Sequence, residues 1–277
     1  MNKWIMAGTA AAFTGAAAFA RSEYERTHLD VVHYDIKTDK LGLEWNGFKA
    51  VFLSDLHDNS FGMENEELIA AIEKEQPDIV LIGGDMLVVK EWAAPHFDML
   101  ANLYEKLVER YPVYYAFGNH EQRMKEEPLT YSGWWQSYWK VLKDSGTMRI
   151  RGITLPRECY RKGRIPSLSA GYLDQKLGKA SDKNFELLLA HTPTFAKTYA
   201  DWGADLVLSG HFHGGTIRIP GLGGVMTPQL QFFSPLARGS VTQKNTNIIV
   251  SGGLGTHSIN VRLNNLPQLV VLTWKTH

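Results

Sequence analysis

Residues 48–57 read Phe48-Lys49-Ala50-Val51-Phe52-Leu53-Ser54-Asp55-Leu56-His57, a short apolar run that ends in a hydroxyl, a carboxylate and an imidazole. Its length and its content of Val and Phe fit a strand buried on both faces. The device recurs along the chain. Ile79 to Ile82 leads to Gly83-Gly84-Asp85, and Val113 to Phe117 leads to Gly118-Asn119-His120-Glu121. Phe185 to Ala190 leads to His191, and Asp205 to Leu208 leads to Gly210-His211-Phe212-His213. Carboxylate, amide and imidazole donors held at the ends of buried strands are the material of a two-metal hydrolytic centre.

Helical patterns lie between the strands. Leu68, Ile69 and Ile72 recur at helical spacing over Glu64 to Glu75, and Pro77-Asp78 stops that helix. Further helices are expected from about Trp92 to Arg110 and from Thr194 to Trp202. This alternation predicts an α/β fold of βαβ units, with ligands gathered outside the strand carboxyl ends. Leu29 to Ile36 reads as an earlier strand with Leu41 to Trp45 as its hairpin partner, and Asn247 to Val250 and Leu269 to Trp274 are late strands. Two layered sheets are implied. Gly146 to Lys183 has mixed charge and weak periodicity and takes no firm assignment.

Composition narrows the function. The chain has 277 residues, 44% of them hydrophobic, enough for one large core. Its formal net charge of +0 gives no support to a polyanionic partner, and no specific nucleic-acid or protein partner is inferred. The single cysteine, Cys159, excludes an internal disulfide. At the N-terminus, Lys3 precedes an uncharged stretch from Trp4 to Ala20 that Arg21 and Glu23 close, and Ala18-Phe19-Ala20 fits a small-x-small cleavage pattern. The division expected is a signal peptide or membrane anchor over residues 1–25 and a catalytic domain over 26–277. The protein is then exported or tethered to the cell membrane.

Asp-x-His, Gly-Asp, Gly-Asn-His-Glu, an isolated His and Gly-His-x-His, in that order, resemble the calcineurin-like metallophosphoesterases from about Phe48 to the C-terminus. Ser54-Asp-Leu-His, Gly210-His-Phe-His-Gly-Gly and Ser251-Gly-Gly-Leu-Gly resemble the bacterial branch with signal-bearing phosphoesterases and UDP-diacylglucosamine pyrophosphohydrolase-like enzymes. The resemblance implies a layered α-β-β-α sandwich of two mixed sheets. It places a first divalent ion on Asp55, His57 and His213 and a second on Asn119, His191 and His211, with Asp85 bridging both. Manganese, iron and zinc suit such donors, manganese being favoured. The activity implied is hydrolysis of a phosphate ester, foremost a phosphodiester, by attack of a metal-held hydroxide, with His120 as proton donor to the leaving oxygen. A lipid-linked or nucleotide-lipid pyrophosphohydrolase is the alternative enzyme, and a silent binding scaffold is the alternative of another class.

Departures from the family pattern set further expectations. An aspartate often stands three residues after the bridging one and orients the catalytic histidine, whereas this chain has Val88 there. A His120 imidazolium without a carboxylate neighbour is a weaker proton donor at neutral pH. Phe212 and Thr216 replace Thr and Gln in the last motif and alter the cleft wall. Tyr131, Trp134, Trp135, Tyr138 and Trp139 would cover one broad aromatic face of a helix, either packed on the core or serving as a lid, acyl site or membrane rest. Arg262, in strand-like Val261-Arg262-Leu263, either contacts phosphate or caps a surface.

Overall fold

The computed structural model describes residues 3–90, 97–126, 144–145, 148–256 and 260–276. The apolar runs form two sheets. In the first, β1 (Asp30–Thr38), β2 (Lys49–Leu53), β3 (Ile79–Ile82), β4 (Val113–Tyr115) and β13 (Gln268–Thr276) lie in the order β1-β13-β2-β3-β4. β2, β3 and β4 run parallel, so their carboxyl ends share one edge, while β13 is antiparallel to β2. The second contains β5 (Asp144–Ser145), β6 (Met148–Ile153), β7 (Phe185–Ala190), β8 (Leu206–Ser209), β11 (Gly239–Gln243) and β12 (Thr246–Val250). Its order is β11-β12-β8-β7-β6-β5, with β6, β7, β8 and β12 parallel. A small antiparallel pair, β9 (Arg218–Ile219) and β10 (Gly223–Gly224), stands apart.

Alternation within the strands builds three apolar layers. Ala50, Phe52, Leu81 and Leu272 from the first sheet meet Leu187, Leu189, Leu208 and Ile249 from the second, and this layer joins the sheets face to face. Residues of opposite parity, among them Val51, Leu53, Val80 and Ile82, pack on α2 (Glu66–Glu75) and α3 (Asp98–Val108). Leu188, Val207 and Ile248 pack instead under α5 (Ala170–Leu177) and α6 (Ala196–Trp202). The result is the α-β-β-α sandwich. Between α3 and α5 lies α4 (Asn119–Glu126), and α1 (Lys3–Thr27) precedes β1.

Several sequence expectations are corrected. Leu41–Trp45 is not a strand: Leu43–Trp45 forms one 3₁₀ turn, because β1 pairs in parallel with β13 over its full length. Val261-Arg262-Leu263 is not a strand either, and only Leu263 makes a bridge, to Ile217. The unassigned stretch contains β6, whose Met148, Ile150 and Ile153 face inward while Arg149 and Arg151 reach the buried carboxylate of Glu186. It also contains α5, capped by the Ser169 hydroxyl, which accepts from the Tyr172 amide at 3.2 Å. The Trp134 to Trp139 aromatic face and residues 91–96 of the expected second helix lie outside the described residues. None of the described helices is long and apolar enough to cross a membrane. α1 extends to Thr27, and its Ser22 and Glu25 are buried.

Glycine lets the strand ends approach one another. Gly84 adopts φ +96°, and a Cβ there would lie 2.1 Å from the Gly118 backbone nitrogen. We predict that Gly84→Ala lowers the unfolding free energy by about 3 kcal/mol or more, since both the left-handed dihedral and the backbone contact forbid the methyl group. Urea unfolding checks this, and a change below about 0.5 kcal/mol, the range of bland surface substitutions, would contradict it.

Candidate metal centre

The parallel strands deliver their terminal residues to one edge, where the backbone turns sharply. Asp55, His57, Asp85, His211 and His213 all adopt positive φ, between 48° and 66°. Left-handed backbone at non-glycine residues is uncommon, costs on the order of 1–3 kcal/mol each and concentrates at functional sites. Here the turns aim each side chain back across the strand ends. Gly210 makes room for the convergence, since a Cβ on it would fall 2.1 Å from Asp55 Oδ2.

All the sequence-predicted ligands come to this edge. His57 Nε2 and His213 Nε2 lie 3.1 Å apart, at 3.8 and 3.4 Å from Asp55 Oδ1. On the other side His191 Nε2 lies 3.1 Å from Asp85 Oδ2, and His57 Nε2 is 3.9 Å from that same oxygen. Donor atoms of Asp55, His57 and His213, and those of Asp85, His191 and His211, lie within 4.8 Å of one another in each set. A third set joins His57, Asp85 and His120. Asn119 opens α4, one residue before His120, whose backbone amide donates to Asp85 Oδ1 at 2.7 Å.

Whether these residues suit a cation is answered by their unspent atoms. Asn119 Oδ1 and His211 Nε2 are buried and make no hydrogen bond, and His191 Nε2 is turned to the Asp85 carboxylate at 3.1 Å. An unsatisfied buried acceptor costs roughly 1–3 kcal/mol, so such atoms occur together where something else is to be bound. The opposite ring nitrogens are anchored: His191 Nδ1 pairs with the Gly83 carbonyl at 2.8 Å and His213 Nδ1 with the Gly255 carbonyl at 3.1 Å. Such anchoring fixes the orientation of each ring and turns Nε2 inward. The Asp55 carboxylate is held by the Ser54 hydroxyl at 2.6 Å and by the His211 amide, 3.0 Å from each oxygen. The set fits a divalent cation.

The electrostatics match. Burial and the neighbouring His191 push the His211 imidazole well below its usual value, leaving it neutral, and burial lowers His213 as well. Burial also opposes charge on His191, but the Asp85 and Asp55 carboxylates outweigh it and hold that imidazolium up at about 10. For Asp85 burial would raise the carboxyl, yet His191 and the other histidines keep it well below the ordinary range.

Residues outside the expected set complete the site. Glu121, the last letter of its motif, accepts at 2.7–2.9 Å from the amides of Asp85, Met86 and Gly118 and from the Tyr115 hydroxyl. It therefore fastens the turns of β3 and β4 together, and burial, followed by the charge of Asp85, raises its carboxyl to about 7. Tyr160 lays its ring edge-on to His211 at 5.1 Å, with a buried hydroxyl that makes no hydrogen bond. It comes from the stretch without periodicity, where no pattern marked it. Next to Val88, where the family often has a carboxylate acceptor, the backbone orients the ring with the opposite polarity: the Val89 amide donates to His120 Nδ1 at 2.9 Å. Amides leave no trace in side-chain motifs.

Arg262 does not cap a surface. It is fully buried and donates to the carbonyls of Gly252, Gly253, Gly255 and Asn265 at 2.7–3.0 Å. Asn265 in turn donates from its side chain to the His213 carbonyl at 2.7 Å, and its amide donates to the buried Glu25 carboxylate of α1 at 2.8 Å. The backbone and the ring of His213 are thus both held by a network that begins on the N-terminal helix.

Comparison with known proteins agrees with this geometry. The family model described as Calcineurin-like phosphoesterase matches residues 48–215, which span all of the converging residues from Asp55 to His213. The uncharacterized metallophosphoesterase YkuE of Bacillus subtilis is 26% identical, covering 96% of this chain and 93% of that protein. The phosphodiesterase YaeI of Escherichia coli is 28% identical over 81% of both chains. YkoQ, a second uncharacterized metallophosphoesterase of Bacillus subtilis, is 28% identical over 78% of this chain and 80% of its own.

If His191 ligates a divalent ion, its proton must leave, and manganese affinity should then rise with pH, about tenfold per unit from this group below about 10. In the metal-free protein the sign for stability is opposite. A raised imidazole value stabilises the fold fully below 6.5, and that contribution is lost as the pH climbs through about 10. Calorimetry in two buffers of different ionisation heat should count about one proton released per chain from this group. A pH-independent affinity would contradict the assignment.

Proposed function

The chain belongs to the calcineurin-like phosphoesterase family, and on that footing we propose that it is a dinuclear phosphodiesterase. That it is a metal-dependent phosphoester hydrolase follows from the family and its relatives. One observation carries the finer reading. Asp85 Oδ2 faces His57 on one side and His191 on the other, so one carboxylate serves two donor sets. Asp55, His57 and His213 would hold one ion and Asn119, His191 and His211 the other, with Asp85 between them. Bound there, two divalent ions supply Lewis acidity to the phosphoryl oxygens and water of lowered pKa. Mixed oxygen and imidazole donors favour manganese, iron or zinc, and manganese is the first choice. The relative named a phosphodiesterase supports a diester substrate.

The chain's own groups do the rest. His120 Nδ1 is occupied by the Val89 amide, so the neutral ring carries its hydrogen on Nε2. From that atom it donates to the leaving oxygen as charge develops there. Full protonation of the ring would break the Val89 hydrogen bond, so its contribution is a directed hydrogen bond more than a complete proton transfer. Its position is fixed by the bond from its own amide to Asp85 Oδ1, which ties the donor to the bridging carboxylate. The orphaned acceptors weigh against a silent scaffold, which gains nothing from leaving such atoms unsatisfied. We place the enzyme outside the cytoplasm or at the membrane surface, because Trp4, Phe13 and Phe19 of α1 project from an uncharged stretch into solvent.

Two variants test the reading. Asp85→Asn should cut turnover of an aryl phosphodiester on the order of a hundredfold and loosen both ions, and near-normal hydrolysis would count against a bridging carboxylate. His120→Asn should lower turnover while sparing metal content, with the smallest loss on esters whose leaving group is already a weak base. A loss independent of the leaving group would refute the donor role.

A further inference from the structure

Beside the metal centre, on the His213 side, lies a pocket of about 120 Å³ that the chemistry above does not use. Met226, Pro228, Leu230 and Val261 form its apolar wall, Thr216, Thr227 and Thr256 line it as well, and its charged lining residues are Lys162 and Arg262, both cationic. The Arg262 guanidinium already donates to backbone carbonyls. No acidic side chain is among the described lining residues. His213 belongs to pocket and centre alike, so whatever fills the pocket lies against one of the residues gathered at the centre.

The apolar surface continues outward. Leu222 at the tip of the β9–β10 hairpin is 62% exposed and Phe232 is 65% exposed, with Ile219, Leu230 and Phe233 also open to solvent. These residues form one structural unit. Met226 bridges Phe232, the Phe233 amide donates to the Val225 carbonyl at 3.2 Å, and the Val225 amide donates to the Ile217 carbonyl at 2.8 Å. The unit is seated on the turn that carries His213, since a Cβ on Gly224 would lie 2.4 Å from the Gly214 carbonyl and one on Gly215 would lie 2.7 Å from Gly224 Cα. Arg218 adds a hydrogen bond to that same carbonyl at 3.0 Å. The pocket is therefore held in fixed register with the metal ligands, which a specificity subsite requires. Clustered apolar side chains of this size on a surface mark a binding region.

We propose that this pocket receives an aliphatic chain on the phosphate ester, so that the enzyme acts on alkyl- or acyl-bearing phosphodiesters with the chain beside His213 and Lys162 near the anionic group. The proposal rests on the phosphodiesterase reading and adds the chemical class of one substituent. The apolar wall runs without a break from the pocket to the exposed side chains of the hairpin unit, which gives a chain a continuous surface to follow past the threonines, and Lys162 suits the charge of the phosphate itself.

The test is a series of p-nitrophenyl alkyl phosphodiesters, methyl to hexyl, kept below their micelle concentrations and hydrolysed by the manganese-loaded full chain. KM should fall roughly three- to fourfold per added methylene until the pocket is filled. Leu230→Asp should flatten that dependence while metal content, read by elemental analysis, stays at the wild-type value. A flat series in the wild type, or an equal proportional loss on methyl and hexyl esters in L230D, would overturn the proposal. So would a dimer in solution that the double variant Phe232→Ser, Phe233→Ser dissociates, since the face would then belong to a second copy of the chain. Failure to hydrolyse even the methyl ester would sink the phosphodiesterase reading itself, an outcome separate from a flat series.

Discussion

Two carboxylates, Asp55 and Asp85, stand buried where two sheets end, and the architecture around them answers the problem they pose. Charge of this kind is not kept away from water unless it is paired. Here the partners are imidazoles from several strand ends, and His57, His191 and His213 lie between 3.1 and 3.9 Å from one or both carboxylates. The left-handed turns at Asp55, His57, Asp85, His211 and His213, the glycines that let backbones meet, and the buried Asn119 and His211 atoms without hydrogen bonds are consequences of forcing these groups together. A fold that tolerates so much local strain at one edge must hold that edge firmly. It does so through three apolar layers, with the middle one gluing sheet to sheet.

Support is distributed unevenly. On the Asp85 side the fastener is the Glu121 carboxylate, which gathers amides from the turns after β3 and β4. On the His213 side it is a buried guanidinium, Arg262, which gathers carbonyls from the turn after β12, with Asn265 and Glu25 behind it. One acid and one base thus organise the backbone around the centre without having to touch what it binds. The N-terminal helix participates through Ser22 and Glu25, so its last turns belong to the catalytic body while Trp4, Phe13 and Phe19 lie open to solvent.

Much of this was legible in the sequence because the same physics writes both. Buried parallel strands need continuous apolar runs, which made Ile79–Ile82 and Phe185–Ala190 readable to the residue. The site followed because each run ended in a donor. What escaped notice had no such signature. β6 alternates Ile with Arg because Glu186 lies buried beneath it, and charge masked the strand. Leu41 to Trp45 looked like a strand because Leu41 is buried, yet its backbone partner had already been taken by β13. The support of His120 comes from a backbone amide, and that of His213 from residues some fifty positions away, neither of which a motif can display.

The central claim is that the converging carboxylates, amide and imidazoles hold two cations that share Asp85. Elemental analysis of the full chain after manganese loading and removal of excess metal, read with its electron paramagnetic resonance spectrum, tests it most directly. Two manganese ions per chain with a spin-coupled spectrum is the predicted result. A single ion with the isolated six-line signal, or no retained metal, would contradict it.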